Sequence, residues 1–372
     1  MSGDQPVDAT LSALALPTDL FDYTLPPESI AQSPAEPRDS SRLLVLDRAT
    51  GRIEHAVFRD VGRWLRPGDL LVVNRSRVVP ARLAARRRPG GGAAEILLLR
   101  RREPGVWEAL VRPGRKLGPG SQLDLGSGIV GEVVERTAAG GRTIRFSLER
   151  AESASNGDTS DVPDDVDARI LALGSLPLPP YIRGYAGDPE RYQTVYGDQL
   201  GSAAAPTAGL HFTTELLAAL LANGVGLATV TLHVGLDTFR PVKVSDLAEH
   251  EIHREQCTVP AETARAIAEA RARGGRVIAV GTTTVRSLET AASAAPAGTI
   301  LDAWSGETGL FIVPGYQFKV VDAMITNFHL PRSTLMALVS AFAGREHILA
   351  AYAEAIRERY RFFSFGDAML LV

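Results

Sequence analysis

The sequence predicts an α/β protein, a mixed-sheet domain interrupted by an inserted, small all-β, barrel-like domain. Three observations predict it. Helix-then-strand units recur through the second half of the chain, which implies a partly parallel sheet with helices packed on it. Short strand patterns divided by Gly and Pro crowd into residues 82–148. At 372 residues, 45% of them apolar, the chain exceeds one ordinary domain and can bury a full core. The boundaries that follow are a flexible tail over 1–19, a discontinuous α/β domain made of 20–81 and 168–372, the inserted β domain over 82–150, and an acidic loop or linker over 151–167.

Taken in order, residues 1–19 are small, polar and aperiodic, and a structured segment follows over 21–48. The apolar run at 70–73, just after the turn at Pro67 and Gly68, predicts a buried strand. Within the β domain, strands are expected at 95–99, 107–111, 129–135 and 142–148. Six acidic and no basic residues mark 151–167 as solvated. A helix at 214–222 ends on Asn223 and Gly224, and a β-branched strand covers 227–234. A second helix at 261–273 stops at Gly274 and Gly275, directly before a strand at 276–280. Helices at 333–343 and 346–360 close the chain.

Composition excludes several classes. Cys257 is the only cysteine, so neither an intrachain disulfide nor a cysteine-rich zinc site is possible, and a reducing, cytoplasmic setting is expected. The apolar stretch at 11–16 follows Asp4 and Asp8 rather than a positive region, so no signal peptide is read. No run reaches the roughly 18 apolar residues of a membrane span. A net charge of −3 gives no global pull toward nucleic acid. Regionally the balance reverses, with twelve Arg or Lys against three acids between residues 75 and 116. Such a patch can hold a phosphate backbone, or it can simply guard solvated strand edges.

Four stretches mix small residues with polar, reactive ones: GSAAAPTAGLHFT at 201–213, TLHVGLDTFRPV at 231–242, AVGTTTVRSLE at 279–289, and the segment at 311–344 that contains VDAMITNFHLPRST. Small residues let a ligand approach the backbone, and the interspersed side chains can orient it. His211, His233 and His329 each stand beside a strand end or a Gly/Pro turn, where an imidazole can exchange protons near neutral pH. His250, His253 and Glu255 spell H-x-x-H-x-E, which lacks the metalloprotease spacing, so no metal site is expected. Cys257 has no activating signature and reads as a small buried residue. Gly126, Gly128 and Gly131 match the dinucleotide fingerprint, but valines follow where a helix is required. By contrast, residues 277–281 lead into Thr282, Thr283 and Thr284 in strand-to-helix order, so the backbone N–H groups there can bind an anion.

These motifs resemble the S-adenosylmethionine:tRNA ribosyltransferase-isomerase family. The resemblance rests on FDYTLPPESIAQSPAEPRDSSRLLVLDR at 21–48, LRPGDLLVVNRSRVVPARL at 65–83, GSAAAPTAGLHFT, HVGLDTFRPV, AVGTTTVRSLE, FIVPGYQFKVVDAMITNFHLPRSTLMALVSAFAG at 311–344 and YRFFSFGDAML at 360–370. It implies a cytoplasmic enzyme that moves the ribosyl part of S-adenosylmethionine to a 7-aminomethyl-7-deazaguanine at the tRNA wobble position, releasing adenine and methionine and leaving an epoxycyclopentanediol. S-adenosylmethionine is then a consumed substrate, and no cofactor is expected. His211 and His233 become candidates for the proton transfers, with base and acid unassigned. Thr207, Gly209 and Phe212 would shape an adenosyl pocket, and Thr282, Thr283 and Arg286 would hold the methionine carboxylate. Asn327 and His329 would read or position a base, while Arg361, Phe363 and Asp367 either complete the pocket or serve the C-terminal structure. Ser202, Asp237 and Arg240 join the substrate-binding set from the same motifs. Asp237 stands where the family pattern has glycine, close enough in sequence to alter His233. Arg77, Arg82, Arg86, Arg87, Arg88, Arg115 and Lys116 would hold the tRNA, and a monomer without membrane contact is expected. Two competing readings are a paralogue acting on a free deazapurine or nucleoside, and an inactive RNA-binding protein.

Overall fold

The computed structural model describes residues 16–137, 140–149, 165–235, 242, 244–250, 252 and 254–372. They form two compact units. One takes in the described residues up to Ser76, then Pro180–Gln199 and the described part of Ala205–Val372, and the other comprises Arg77–Pro179 and Leu200–Ala204. Along the chain the strands are β1 (Arg42–Leu46), β2 (Ile53–Val57), β3 (Leu70–Asn74), β4 (Ser76–Val78), β5 (Arg82–Arg88), β6 (Ala93–Glu103), β7 (Val106–Arg112), β8 (Gln122–Gly126), β9 (Ile129–Arg136) and β10 (Arg142–Leu148). They continue with β11 (Gln199–Ser202), β12 (Gly226–Leu232), β13 (Glu255–Val259), β14 (Val277–Val280), β15 (Trp304–Thr308), β16 (Ala323–Asn327) and β17 (Ala368–Leu371). The helices are α1 (Val166–Leu173), α2 (Thr214–Ala222), α3 (Ala261–Ala272), α4 (Thr282–Ala294), α5 (Thr334–Ala343) and α6 (Arg345–Arg357). Strands β4 and β11 pair as a separate short ribbon.

The first unit is built on a nine-stranded mixed sheet in the order β15-β13-β12-β3-β14-β16-β17-β1-β2. Its centre, β12-β3-β14-β16, is parallel, while both flanks are mainly antiparallel. Every residue of β3, β14 and β16 is buried, because helices and loops cover both faces. Alternate residues feed opposite layers. Leu46, Val72, Val230, Ala279 and Met324 pack with Ile267 of α3, Leu288 of α4, Leu338 of α5 and Tyr352 of α6. Val45, Leu71, Val73, Ile278 and Ile325 pack on the other side with Phe58, Phe212 and Leu217 of α2. Leu16–Asp19, placed by the sequence in a loose tail, are anchored: the Leu16 N–H donates to Asp246 Oδ1 at 3.0 Å and the buried Thr18 hydroxyl to the Val244 carbonyl at 2.8 Å.

In the second unit β10-β7-β6-β5-β8-β9 close into a barrel, which leaves no edge strand unpaired. Leu83, Ile96, Leu98, Ala109, Leu123, Val133, Ile144 and Phe146 fill its interior. Helix α1 starts inside the segment expected as a linker, and Ile170 joins this core. The buried Asp167 carboxylate fastens it, accepting from Trp107 Nε1 at 2.7 Å and pairing with Arg101. Gly126, Ser127 and Gly128 form the β8–β9 turn, all with positive φ, so this fingerprint match is a hairpin. Among the described residues no helix is long and apolar enough to cross a membrane.

Candidate active site

Where the parallel strands β12, β14 and β16 end, the first unit opens into a cleft, the place where open α/β sheets receive ligands. All four small-residue motifs reach it, the 231–242 motif through Val234, and the C-terminal segment joins them. Strand β14 delivers Gly281, whose φ of +88° is open to glycine and lets the chain turn at once into α4. Thr282 and Thr283 line the cleft from the first turn of α4, where backbone N–H groups lack helical acceptors. Asn74, buried at the end of β3, holds this edge: its Oδ1 accepts from the N–H groups of Ser76 at 3.0 Å and Leu232 at 3.1 Å, and its Nδ2 donates to Thr283 Oγ1 at 3.3 Å.

Strand β16 runs out through Asn327 to His329, both on the cleft wall. His329 is pinned by its neighbours, its N–H donating to the Tyr352 hydroxyl at 2.9 Å, its carbonyl accepting from Tyr23, and Nε2 lying 2.8 Å from Thr326 Oγ1. Burial pushes its pKa down to about 3. Thr207 Oγ1 donates to Asn327 Oδ1 at 3.2 Å from a short turn. Phe363 completes the wall with a φ of +71°, a conformation costly for an aromatic residue and held by backbone hydrogen bonds, one of them from the Gly366 N–H to its carbonyl at 2.8 Å. Its N–H donates to the Phe328 carbonyl at 3.2 Å, and its carbonyl accepts from Asn327 Nδ2 at 3.1 Å. Tyr181, Thr326, Ser333 and Ser364 also line the cleft; the last three lie inside the quoted motifs without having been singled out, and Tyr181 lies outside all of them.

The two proton-transfer candidates sit differently. His233 immediately precedes the cleft-lining Val234, is half-buried, and has its Nδ1 enclosed without a hydrogen-bond partner among the described residues. Burial lowers its pKa, so it is neutral at pH 7. His211 lies behind Asn327, on a smaller cavity beside Arg38 and Arg191. Both its nitrogens are engaged, Nδ1 with Ser41 Oγ at 2.7 Å and Nε2 with Asn327 Nδ2 at 3.2 Å. Burial first, then the Arg361 and Arg38 charges, push its pKa down to about 3.

Of the other candidates, Arg286 is buried and paired with Glu255, which also accepts from the Gly235 N–H at 2.8 Å. Arg286 Nε donates to the Leu310 carbonyl at 3.1 Å. Glu255, the last residue of the H-x-x-H-x-E pattern, is an ion-pair partner, and His250 stacks edge-on against Phe311. His253, Asp237 and Arg240 lie outside the described residues. The Asp367 carboxylate accepts from the backbone N–H groups of Arg42 at 2.9 Å and Arg361 at 2.8 Å, fastening the C-terminal segment. Gly209 is buried against Tyr196, Phe212 stacks on Phe58 in the core, and Ser202, in the second unit, donates to the Ala204 carbonyl at 2.6 Å. The Cys257 thiol is buried, and burial pushes its pKa up to about 11.

On the barrel, Arg82 pairs with Glu95, and Arg88 forks between Asp124 and Glu149. Arg86, Arg115 and Lys116 are exposed, Arg77 and Arg87 half-buried.

The model of the queuosine biosynthesis protein family matches residues 18–371. An S-adenosylmethionine:tRNA ribosyltransferase-isomerase of Heliobacterium modesticaldum is 54% identical over 356 residues, 95% of this chain and 99% of the relative. One of Moorella thermoacetica is 54% identical over 353 residues, 95% and 98%. Among solved structures, an S-adenosylmethionine tRNA ribosyltransferase from Thermotoga maritima is 44% identical with a TM-score of 0.54, covering 95% of this chain and all of that one. With its motifs gathered at one cleft and the match running nearly end to end, the chain belongs to the queuosine biosynthesis protein family.

Proposed function

We propose that this chain is an S-adenosylmethionine:tRNA ribosyltransferase-isomerase that moves the ribosyl moiety onto 7-aminomethyl-7-deazaguanine at the tRNA wobble position and rearranges it to the epoxycyclopentanediol of epoxyqueuosine. Adenine and methionine leave, S-adenosylmethionine is spent as substrate, and no cofactor takes part. The observation that carries the reading is the cleft at the parallel strand ends, walled by the same segments the sequence resemblance singles out, in a chain of this family.

The chemistry assigns work to particular side chains. A sulfonium acidifies the ribose C5′ protons, so the reaction starts with a base. His233, neutral, directly before the cleft-lining Val234 and with an Nδ1 that has no partner among the described residues, is suited to that proton. His211, with both nitrogens occupied, acts by holding Asn327. Thr282 and Thr283 receive the methionine carboxylate at the start of α4. Phe363 and Tyr181, in tilted contact with ring centroids 4.9 Å apart, both line the cleft and offer an aromatic surface for the cationic sulfur or a base. Exposed Arg86, Arg115 and Lys116 serve the tRNA backbone. The protein works in the cytoplasm as a monomer. Adenine and methionine release should require tRNA bearing the 7-aminomethyl-deazaguanine. Equal release with the free base would replace this reading by that of a nucleobase enzyme.

A further inference from the structure

Two buried asparagines fix the hydrogen-bond polarity of two cleft threonines, and they fix it in opposite senses. Asn327 Nδ2 donates to the Phe363 carbonyl at 3.1 Å. A carbonyl can only accept, so the amide cannot be turned over, and its second N–H must point at His211 Nε2, 3.2 Å away. His211 therefore presents a lone pair at Nε2 and carries its proton on Nδ1, donating to Ser41 Oγ at 2.7 Å. Asn327 Oδ1 is left to accept the Thr207 hydroxyl proton at 3.2 Å. Toward the cleft, Thr207 then offers lone pairs alone.

Asn74 imposes the reverse. Its Oδ1 accepts two backbone N–H groups, from Ser76 and Leu232, which fixes Nδ2 as the donor to Thr283 Oγ1 at 3.3 Å. The Thr283 hydroxyl, having accepted, keeps its own proton for the cleft. The two polarities lie close together, since a Cβ placed on Gly281, two residues before Thr283, would stand 3.6 Å from the Ala208 methyl, next to Thr207.

We propose that this pair reads the zwitterionic α-amino-acid head of the ribosyl donor, with Thr283 donating to its carboxylate and Thr207 accepting from its ammonium. Asn74, Asn327 and His211 are the positioning residues that set the two senses. The assignment rests on the donor being S-adenosylmethionine, as proposed above, and names how its methionyl end is recognised. A carboxylate at Thr207 would meet lone pairs alone, whereas Thr283 keeps the one free hydroxyl proton of the pair, so the carboxylate is directed to Thr283 and the ammonium to Thr207.

The test pairs variants with donor analogues, at saturating modified tRNA. Adenine release is followed for S-adenosylmethionine, its analogue with hydrogen in place of the α-ammonium, its decarboxylated analogue, and one lacking the purine 6-amino group. Thr207→Val should raise KM for S-adenosylmethionine by about ten- to a hundredfold and leave KM for the deaminated analogue unchanged. Thr283→Val should do the same for the decarboxylated analogue. Equal losses on every analogue, or a Thr207 effect that disappears only with the purine amine, overturn the assignment. Absence of adenine release by the wild-type protein from S-adenosylmethionine overturns the donor reading itself, a different outcome. As an independent readout, nitrogen NMR should find His211 in the Nδ1–H form, moving to Nε2–H or imidazolium in Asn327→Asp. A wild-type Nε2–H form would break the chain of donors.

Discussion

Surroundings separate the histidines more than their sequence context does. His233, one residue before the cleft-lining Val234, keeps a nitrogen without a partner among the described residues, whereas His211 spends both of its own inside the fold. His233→Ala is expected to lower kcat by about a hundredfold or more with tRNA affinity unchanged, measured as adenine release and tRNA binding. His211→Ala should act mainly on KM for the donor. Turnover at the wild-type rate by His233→Ala would remove the proton-transfer role. His211 and His329 have folded pKa values near 3, below the unfolded value, so the unfolded chain binds their protons first. Their contribution to stability is present above about pH 6.5 and is lost as pH falls toward 3. Urea unfolding between pH 7 and 5 should show a stability loss that shrinks in a His211→Asn variant. Glu255→Ala, which strands the buried Arg286 charge, should cost about 3–5 kcal/mol by chemical denaturation. The sequence exposed the cleft residues Thr207, Thr282, Thr283, Asn327 and His329, because small residues around polar ones mark pocket walls, and Phe363 through the family resemblance alone. It could not expose the partners of Arg286 or Asp367. Glu255 lies 31 positions from Arg286 and Arg42 lies 325 from Asp367, and only the fold brings them together.

At the scale of elements, the site depends on strands that stop at one level and on the turn from β14 into α4. Gly281→Ala would force a side chain into a φ of +88°. It should cost about 1–2 kcal/mol and raise KM for the donor as Thr282 and Thr283 shift. A Gly281→Ala protein with wild-type stability and KM would show that the turn does not position them. The elements most legible in sequence are those with uniform burial or clear helical stops. Residues 70–73 fall within β3, and the helix at 214–222 coincides with α2. Less legible were β5, whose outward positions are arginines, and β13 and β15, whose alternating exposure on polar residues resembles a loop. The strand-to-helix order read at 277–284 is realised as β14 and α4, but the extent of α4, from Thr282 to Ala294, was not legible, since β-branched threonines in its first turn weaken the helical signal.

For the whole molecule, a net charge of −3 conceals a basic barrel surface that is partly spent on its own carboxylates. Changing Arg86, Arg115 and Lys116 together to alanine should weaken tRNA binding and reduce its salt slope by roughly 0.7–0.9 per charge in contact. The same change at Arg82 and Arg88, already paired with Glu95, Asp124 and Glu149, should do less to the slope. An equal effect from both sets would move the tRNA surface elsewhere. The two-part architecture was legible because the strand-and-turn rhythm of 82–148 differs so plainly from the helix-and-strand rhythm after it. Helix α1 was not legible, because it follows directly on an acidic stretch that reads as solvated. The central claim, that S-adenosylmethionine gives up its sugar, is tested most directly with two labelled donors, one carrying the label in the ribose and one in the methyl group, each incubated with modified tRNA. The account predicts ribose label in the tRNA and methyl label in free methionine; methyl label in the tRNA, or ribose label in neither product nor tRNA, would contradict it.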